Sequence, residues 1–142
     1  MPALDCRLPK AAWASAVGAL NGDSASRPEY SAKEPDADAG PWEPAVEKIV
    51  ELRHLSDDWD GFGAKAPSRE LLESAIGLAY TFYQNGVDAP HRVVAGVDGS
   101  VIFEWQDPDG TYTEVENVRP FYAEAMMIEP GKPPQHWTLP SE

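Results

Sequence analysis

The apolar residues of this chain change their period once, between Asn85-Gly86 and Pro90, and that change constrains the fold more than any other feature. Before it, Val46, Ile49, Val50 and Leu52 or Leu55 recur at intervals of three and four, with Glu47, Lys48, Glu51 and Arg53 between them. This spacing gathers the apolar side chains on one stripe and predicts a first amphipathic helix from Ala45 to about Leu55. It ends at Ser56-Asp57-Asp58. A second helix is expected after Pro67, with Ser68 as its N-cap and Glu70 placed to favour the helix dipole. Leu72, Ala75, Ile76, Ala79, Phe82 and Tyr83 form its apolar stripe, and Asn85-Gly86 terminates it.

Beyond Pro90 the period falls to about two, the signature of strands. Asp98-Gly99 lies between the runs 92–97 and 100–105, a strong hairpin signal. A two-residue turn would set position 94 opposite 103 and 96 opposite 101. Val94, Val101, Phe103 and Trp105 would then share the face turned to the helices. Asp107-Pro108-Asp109-Gly110 is a second turn, leading to a strand from Thr111 to about Val118. After Pro120, Phe121 to Ile128 reads as a fourth strand, although Ala123, Ala125, Met126 and Met127 also suit a helix. The expected class is α+β: two amphipathic helices packed on a three- or four-stranded antiparallel meander as a two-layer sandwich. The other sheet face, carrying Glu104, is left open to solvent or a partner.

A chain of 142 residues with 42% hydrophobic content supports one core rather than two. We assign the domain to residues 45–128. Residues 1–44 form an N-terminal arm. Within it, Trp13, Ala16, Val17 and Leu20 have the spacing of a short amphipathic helix, docking on its own domain or on another chain. From about residue 21 the arm is rich in Gly, Ser, Pro and Asp and reads as a flexible linker. Residues 129–142 read as an extended proline-rich tail, with Trp137 positioned to pin it to the domain.

Eleven basic and twenty-four acidic side chains give a net charge of −13, which repels phosphate backbones and anionic membranes. The basic residues are scattered singly, so direct nucleic-acid binding is not expected. A basic protein partner is more compatible with such a surface, and solubility alone also accounts for it. Cys6, the only cysteine, allows no internal disulfide and no four-cysteine zinc site, in keeping with a reducing cytoplasm. The apolar run 11–20 has Asp5 ahead of it and Asn21-Gly22-Asp23 behind, which argues against a secretory leader. No run approaches the roughly 20 apolar residues of a membrane span. The expected location is cytoplasmic.

Three carboxylates, two aromatics and two glycines crowd the segment Ser56 to Ala64. As a calcium loop starting at Ser56 it would put Asp58, Asp60 and Gly61 correctly, but Pro67 stands where a bidentate glutamate is needed. As a dinucleotide loop, Gly61-x-Gly63-x-x-Ala66 follows a helix rather than a strand. A helix-to-helix corner accounts for more of the residues. Asp60 bonds back to the backbone, Gly61 and Gly63 take positive φ, and Trp59 and Phe62 are expected to bury large apolar areas on either side of the bend. His54, His91 and His136 have no metal-ligand spacing, and Cys6 has no neighbouring base. Glu104, Glu114, Glu116, Asp57, Asp58 and Asp60 are the available acids for acid–base chemistry, and such neighbours arise by chance in so acidic a chain. No catalytic residue, metal or cofactor is assigned. The candidate contact residues are Trp59, Asp60, Phe62, Glu104, Trp105 and Trp13, with Gly61, Gly63, Asp98 and Gly99 as structural turn residues.

Two of these segments together carry a resemblance. Trp59-Asp60-Gly61-Phe62-Gly63-Ala64, followed by Pro67-Ser68 and a helix, then Asp98-Gly99-Ser100-Val101 and Glu104-Trp105, resemble a group of uncharacterised small bacterial proteins. That group is marked by a WDG(F/Y)GA corner and a DG(S/G)VxxEW hairpin, and the likeness covers about residues 45–118. It carries no activity onto any position. It implies an accessory product of a small gene cassette, compatible with an antitoxin, immunity or defence-system partner. The function expected is therefore a non-enzymatic, acidic protein-interaction protein. The alternatives are a small-ligand or metal-binding domain or hydrolase using the corner carboxylates with Glu104, and a nucleic-acid mimic.

Overall fold

The computed structural model describes residues 40–139. Among them are two α-helices and one five-stranded antiparallel sheet, an α+β arrangement. Helix α1 spans Glu43–Glu51, preceded by a 3-10 turn at Gly40–Trp42 and followed by another at Leu52–His54. Pro44 sits in its first turn, where the missing N–H costs nothing. Helix α2 spans Arg69–Gln84, and the Ser68 hydroxyl accepts a 3.0 Å bond from the Leu71 N–H, the expected cap.

The strands are β1 (Arg92–Ala95), β2 (Val101–Gln106), β3 (Tyr112–Arg119), β4 (Tyr122–Ile128) and β5 (Gln135–Leu139), side by side in chain order. The sheet thus has five strands rather than three or four. The additional strand lies within the segment expected to be an extended tail. There Trp137 stands opposite Ala125 and packs against the core, while Leu139 is fully buried. Of the segment 121–128, Tyr122–Ile128 is a strand, not a helix.

Val93, Val101, Phe103, Trp105, Val115, Ala123, Ala125 and Leu139 share one buried cluster with Ile49, Leu72, Ala75, Leu78 and Phe82 of the helices. At its centre Trp42, Phe82, Phe103 and Trp105 touch pairwise, with every ring centroid 5.9–6.3 Å from the other three. Trp42 lies in the stretch that reads as linker, yet it is 1% exposed and its Nε1–H donates to the Val87 carbonyl at 2.8 Å. Such an indole brings large apolar area and, once buried, needs that one acceptor.

The first hairpin is where expected, but its register is shifted by one residue. Val93 stands opposite Phe103 and Ala95 opposite Val101. The Gly96 N–H donates to Ser100 O at 2.9 Å and the Gly99 N–H to Gly96 O at 3.1 Å, with Gly99 at φ 88°. That is a three-residue loop closed by a left-handed glycine rather than a two-residue turn. Because side chains alternate, the shift turns Val93, not Val94, into the core. Asp107 to Thr111 repeats the same turn. The Asp107 N–H donates to Thr111 O at 2.8 Å and the Gly110 N–H to Asp107 O at 2.9 Å.

Between β3 and β4 the turn Pro120-Phe121 is tied to α2. Ser74 Oγ accepts from the Phe121 N–H at 3.0 Å and donates to Asn117 Oδ1 at 3.2 Å. Asn117 Nδ2 donates in turn to Arg119 O and Tyr122 O, both at 3.0 Å. Ser74 and Asn117 are buried, and this network satisfies them.

Candidate functional site

Two surfaces collect the residues that the core does not use. The first is the sheet face turned away from the helices. Alternation sends Phe103 and Trp105 inward, so Ile102 and Glu104 face outward. Register then builds two rows across the strands. One runs Arg92, Glu104, Glu114, Met126, His136; the other runs Val94, Ile102, Glu116, Glu124, Thr138. Glu104 therefore stands directly opposite Glu114, and Glu116 directly opposite Glu124.

Their surroundings hold these carboxylates apart in role. Arg92 Nε lies 3.0 Å from Glu104 Oε1, and it is the one cation paired with this group among the described residues. Ser100 Oγ donates to Glu116 Oε2 at 2.6 Å and the Tyr112 hydroxyl to Glu114 Oε1 at 2.9 Å. Burial first, then the bond to Glu114 and the negative charge of Glu114 and Glu104, push the Tyr112 hydroxyl far up from its ordinary value. It stays protonated and acts as a donor. Glu124 is exposed.

The second surface is the corner between the helices. Three aspartates fold the loop onto itself. Asp60 Oδ1 accepts from the Phe62 and Ala64 N–H groups at 2.8 and 3.1 Å, Asp58 Oδ1 from Gly63 at 2.7 Å, and Asp57 Oδ1 from Ala66 at 3.0 Å. The bond from Phe62 is the largest influence on Asp60, and it holds that carboxyl below its ordinary value. Asp58, Gly61 and Gly63 take φ of 70°, 79° and 89°. Ala64 is buried. The Trp59 indole N–H donates to Lys65 O at 3.0 Å, leaving that ring half-buried, whereas Phe62, expected to be buried, is 91% exposed because the loop bonds to Asp58 and Asp60 turn it outward.

The corner also docks on the first hairpin, through Lys65 N–H to Val97 O at 2.8 Å and a bridge from Lys65 to Asp98. Asp98 and Gly99 thus join Gly61 and Gly63 as turn residues of one junction.

Of the candidate contact residues, Trp59, Asp60 and Phe62 lie together in the corner. Glu104 lies on the sheet five residues beyond Gly99, about 17 Å along an extended strand. Trp105 is corrected from a contact residue to a core one. It is 2% exposed, its Nε1–H donates to Asp88 O at 2.8 Å, and it stacks on Phe103. Trp13 lies outside the described residues. Arg92, Tyr112 and Glu124 were not singled out by the sequence. Alternation alone gives their face, but only the strand register brings them beside Glu104, Glu114 and Glu116. Among the described residues no helix is long and apolar enough to cross a membrane, and no three His, Cys, Asp or Glu side chains are grouped to hold a metal ion. No protein-family model, curated protein or solved structure matches the chain.

Proposed function

We propose that this chain is a non-enzymatic interaction protein, of the antitoxin-like or defence-accessory kind, that binds a basic protein through the open face of its sheet. The reading is carried by one observation: two pairs of glutamates stand directly opposite one another, and among the described residues Arg92 is the one cation ion-paired with any of the four. Like charges opposed across strands destabilise by about 0.2–1 kcal/mol per pair. A cationic surface laid on the face relieves that repulsion and gains attraction, so a cost borne by the free chain becomes specificity in the complex.

The test is affinity purification from the native host at physiological salt, comparing the natural chain with a Glu114→Lys/Glu124→Lys variant of matched thermal stability. A stoichiometric basic partner held by the natural chain and lost by the variant is expected. Equal recovery by both, or no stoichiometric partner, overturns the reading.

Nucleic-acid mimicry draws on the same rows of carboxylates and differs in one outcome, competition between this chain and DNA for the partner. The reading as a metal or small-ligand site, or a hydrolase, gains no such support, because the corner aspartates spend an oxygen each on backbone N–H groups and Glu104 sits elsewhere.

A further inference from the structure

Phe62 adds nothing to the core. At 91% exposed it buries almost none of its ring, and a small polar residue would serve the loop as well. Its backbone is nevertheless held firmly: its N–H is bonded to Asp60, and Gly63 and Ala64 beside it are bonded to Asp58 and Asp60. Gly61 and Gly63 on either side stand in open space, with no atom within 4 Å of where a Cβ would lie. The ring therefore stands clear of its own fold on a loop whose shape is already fixed. Val97, 60% exposed, belongs to the same junction through the Lys65 bond. Around them the corner and hairpin tip carry Asp57, Asp58, Asp60 and Asp98, with Lys65 as the one cation of segments 56–66 and 96–99.

We propose that Phe62 is an insertion anchor that enters an apolar pocket with a basic rim on a protein partner. An aromatic side chain on a preorganised loop loses little freedom on binding and supplies a large area to desolvate, the properties of residues that dominate interfaces. The four carboxylates of the corner and the hairpin tip joined to it set the chemistry of the rim, since a pocket edged by Lys and Arg is drawn to them and an acidic one is repelled. The same charge disfavours a second copy of this chain and an anionic membrane as occupants.

The inference stands apart from the sheet-face reading, because Phe62→Ala leaves the four glutamates in place and Glu114→Lys/Glu124→Lys leaves Phe62 in place. The test places the photocrosslinker p-benzoylphenylalanine at position 62 of the full chain in its native host, and the captured protein is then purified. The cross-linked peptide is expected to hold apolar residues flanked by Lys or Arg. Phe62→Ala is expected to weaken the purified complex at least tenfold, Phe62→Leu to retain most of the affinity, and thermal unfolding of both variants to match the natural chain. Cross-linking to a second copy or to lipid, no cross-link at all, a pocket without basic residues, or an unchanged Kd for Phe62→Ala overturns the proposal.

Discussion

The backbone N–H of Lys65 donates a 2.8 Å hydrogen bond to the carbonyl oxygen of Val97, joining the helix-to-helix corner to the tip of the first hairpin. Two segments far apart in sequence, each built on Asp and Gly, thereby fix one another. Gly99 makes the approach feasible: a Cβ there would lie 3.3 Å from the Ala66 carbonyl oxygen. With φ at 88°, Gly99→Ala is expected to cost about 1–2 kcal/mol for conformation, and more for the crowding. Gly63→Ala, at a similar φ of 89° but in open space, should show only the conformational part. Urea unfolding midpoints of the two variants give the difference.

Ser74→Ala removes both the acceptor of the Phe121 N–H and the donor to Asn117 Oδ1 inside the protein. Leaving buried polar groups without those bonds is expected to cost about 1–3 kcal/mol. Faster amide exchange at Phe121, with little change in the first hairpin, would place the loss at the β3–β4 turn.

Trp42→Ala empties the middle of a four-ring cluster. Truncations of this size cost about 3–5 kcal/mol, a large part of the 5–15 kcal/mol typical of a whole domain. Trp42→Phe keeps most of the apolar volume but loses the bond to Val87, so calorimetric melting should place it between the natural chain and the alanine variant.

Glu124→Gln removes one of two charges facing each other across β3 and β4. It is expected to stabilise the free chain by roughly 0.2–1 kcal/mol. The gain should shrink at about 1 M salt, where the Debye length is near 3 Å. A substitution that strengthens the fold while weakening capture of a basic partner would separate the two roles of the residue.

Asp60 sets a pH dependence. Its folded-state carboxyl lies below the ordinary value of 3.8, so the charged form stabilises the fold. That contribution is present above pH 3.8 and is lost as pH falls through the lower folded-state value. Asp60→Asn is expected to be less stable than the natural chain at neutral pH and to converge with it in acid. A difference that stays constant from pH 6 to about pH 2 would contradict this.

The second helix was legible from end to end, because Ser68, the apolar stripe and Asn85-Gly86 are all local signals. The hairpin was legible in place but not in register. Asp98-Gly99 suits a two-residue turn as well as the last two positions of a three-residue one, and only the packing of Val93 against the core separates them. Trp42 was hidden by its neighbours, since Gly40, Pro41 and Pro44 read as linker while one indole supplies the burial. Strand β5 was hidden likewise by Pro133, Pro134 and Pro140, its pairing with β4 being a tertiary fact. In the corner, Asp60 as a turn former was readable. That Trp59 would turn partly inward and Phe62 outward was not, because both follow from where Ala64 and Lys65 dock.

Every strand of the sheet pairs with its neighbour in the chain, so assembling it requires no search between distant segments. Bonds over 43 and 47 residues tie Ser74 of α2 to Asn117 and Phe121 at the β3–β4 turn, and one over 45 residues ties Trp42 to Val87 in the connection between α2 and β1. Such topology favours rapid folding that begins in the Asp-Gly hairpins, with the helices docking late. Substitutions at Gly99 or Gly110 should then slow folding, and those at Ser74 or Trp42 should chiefly hasten unfolding, a division that stopped-flow chevrons can measure.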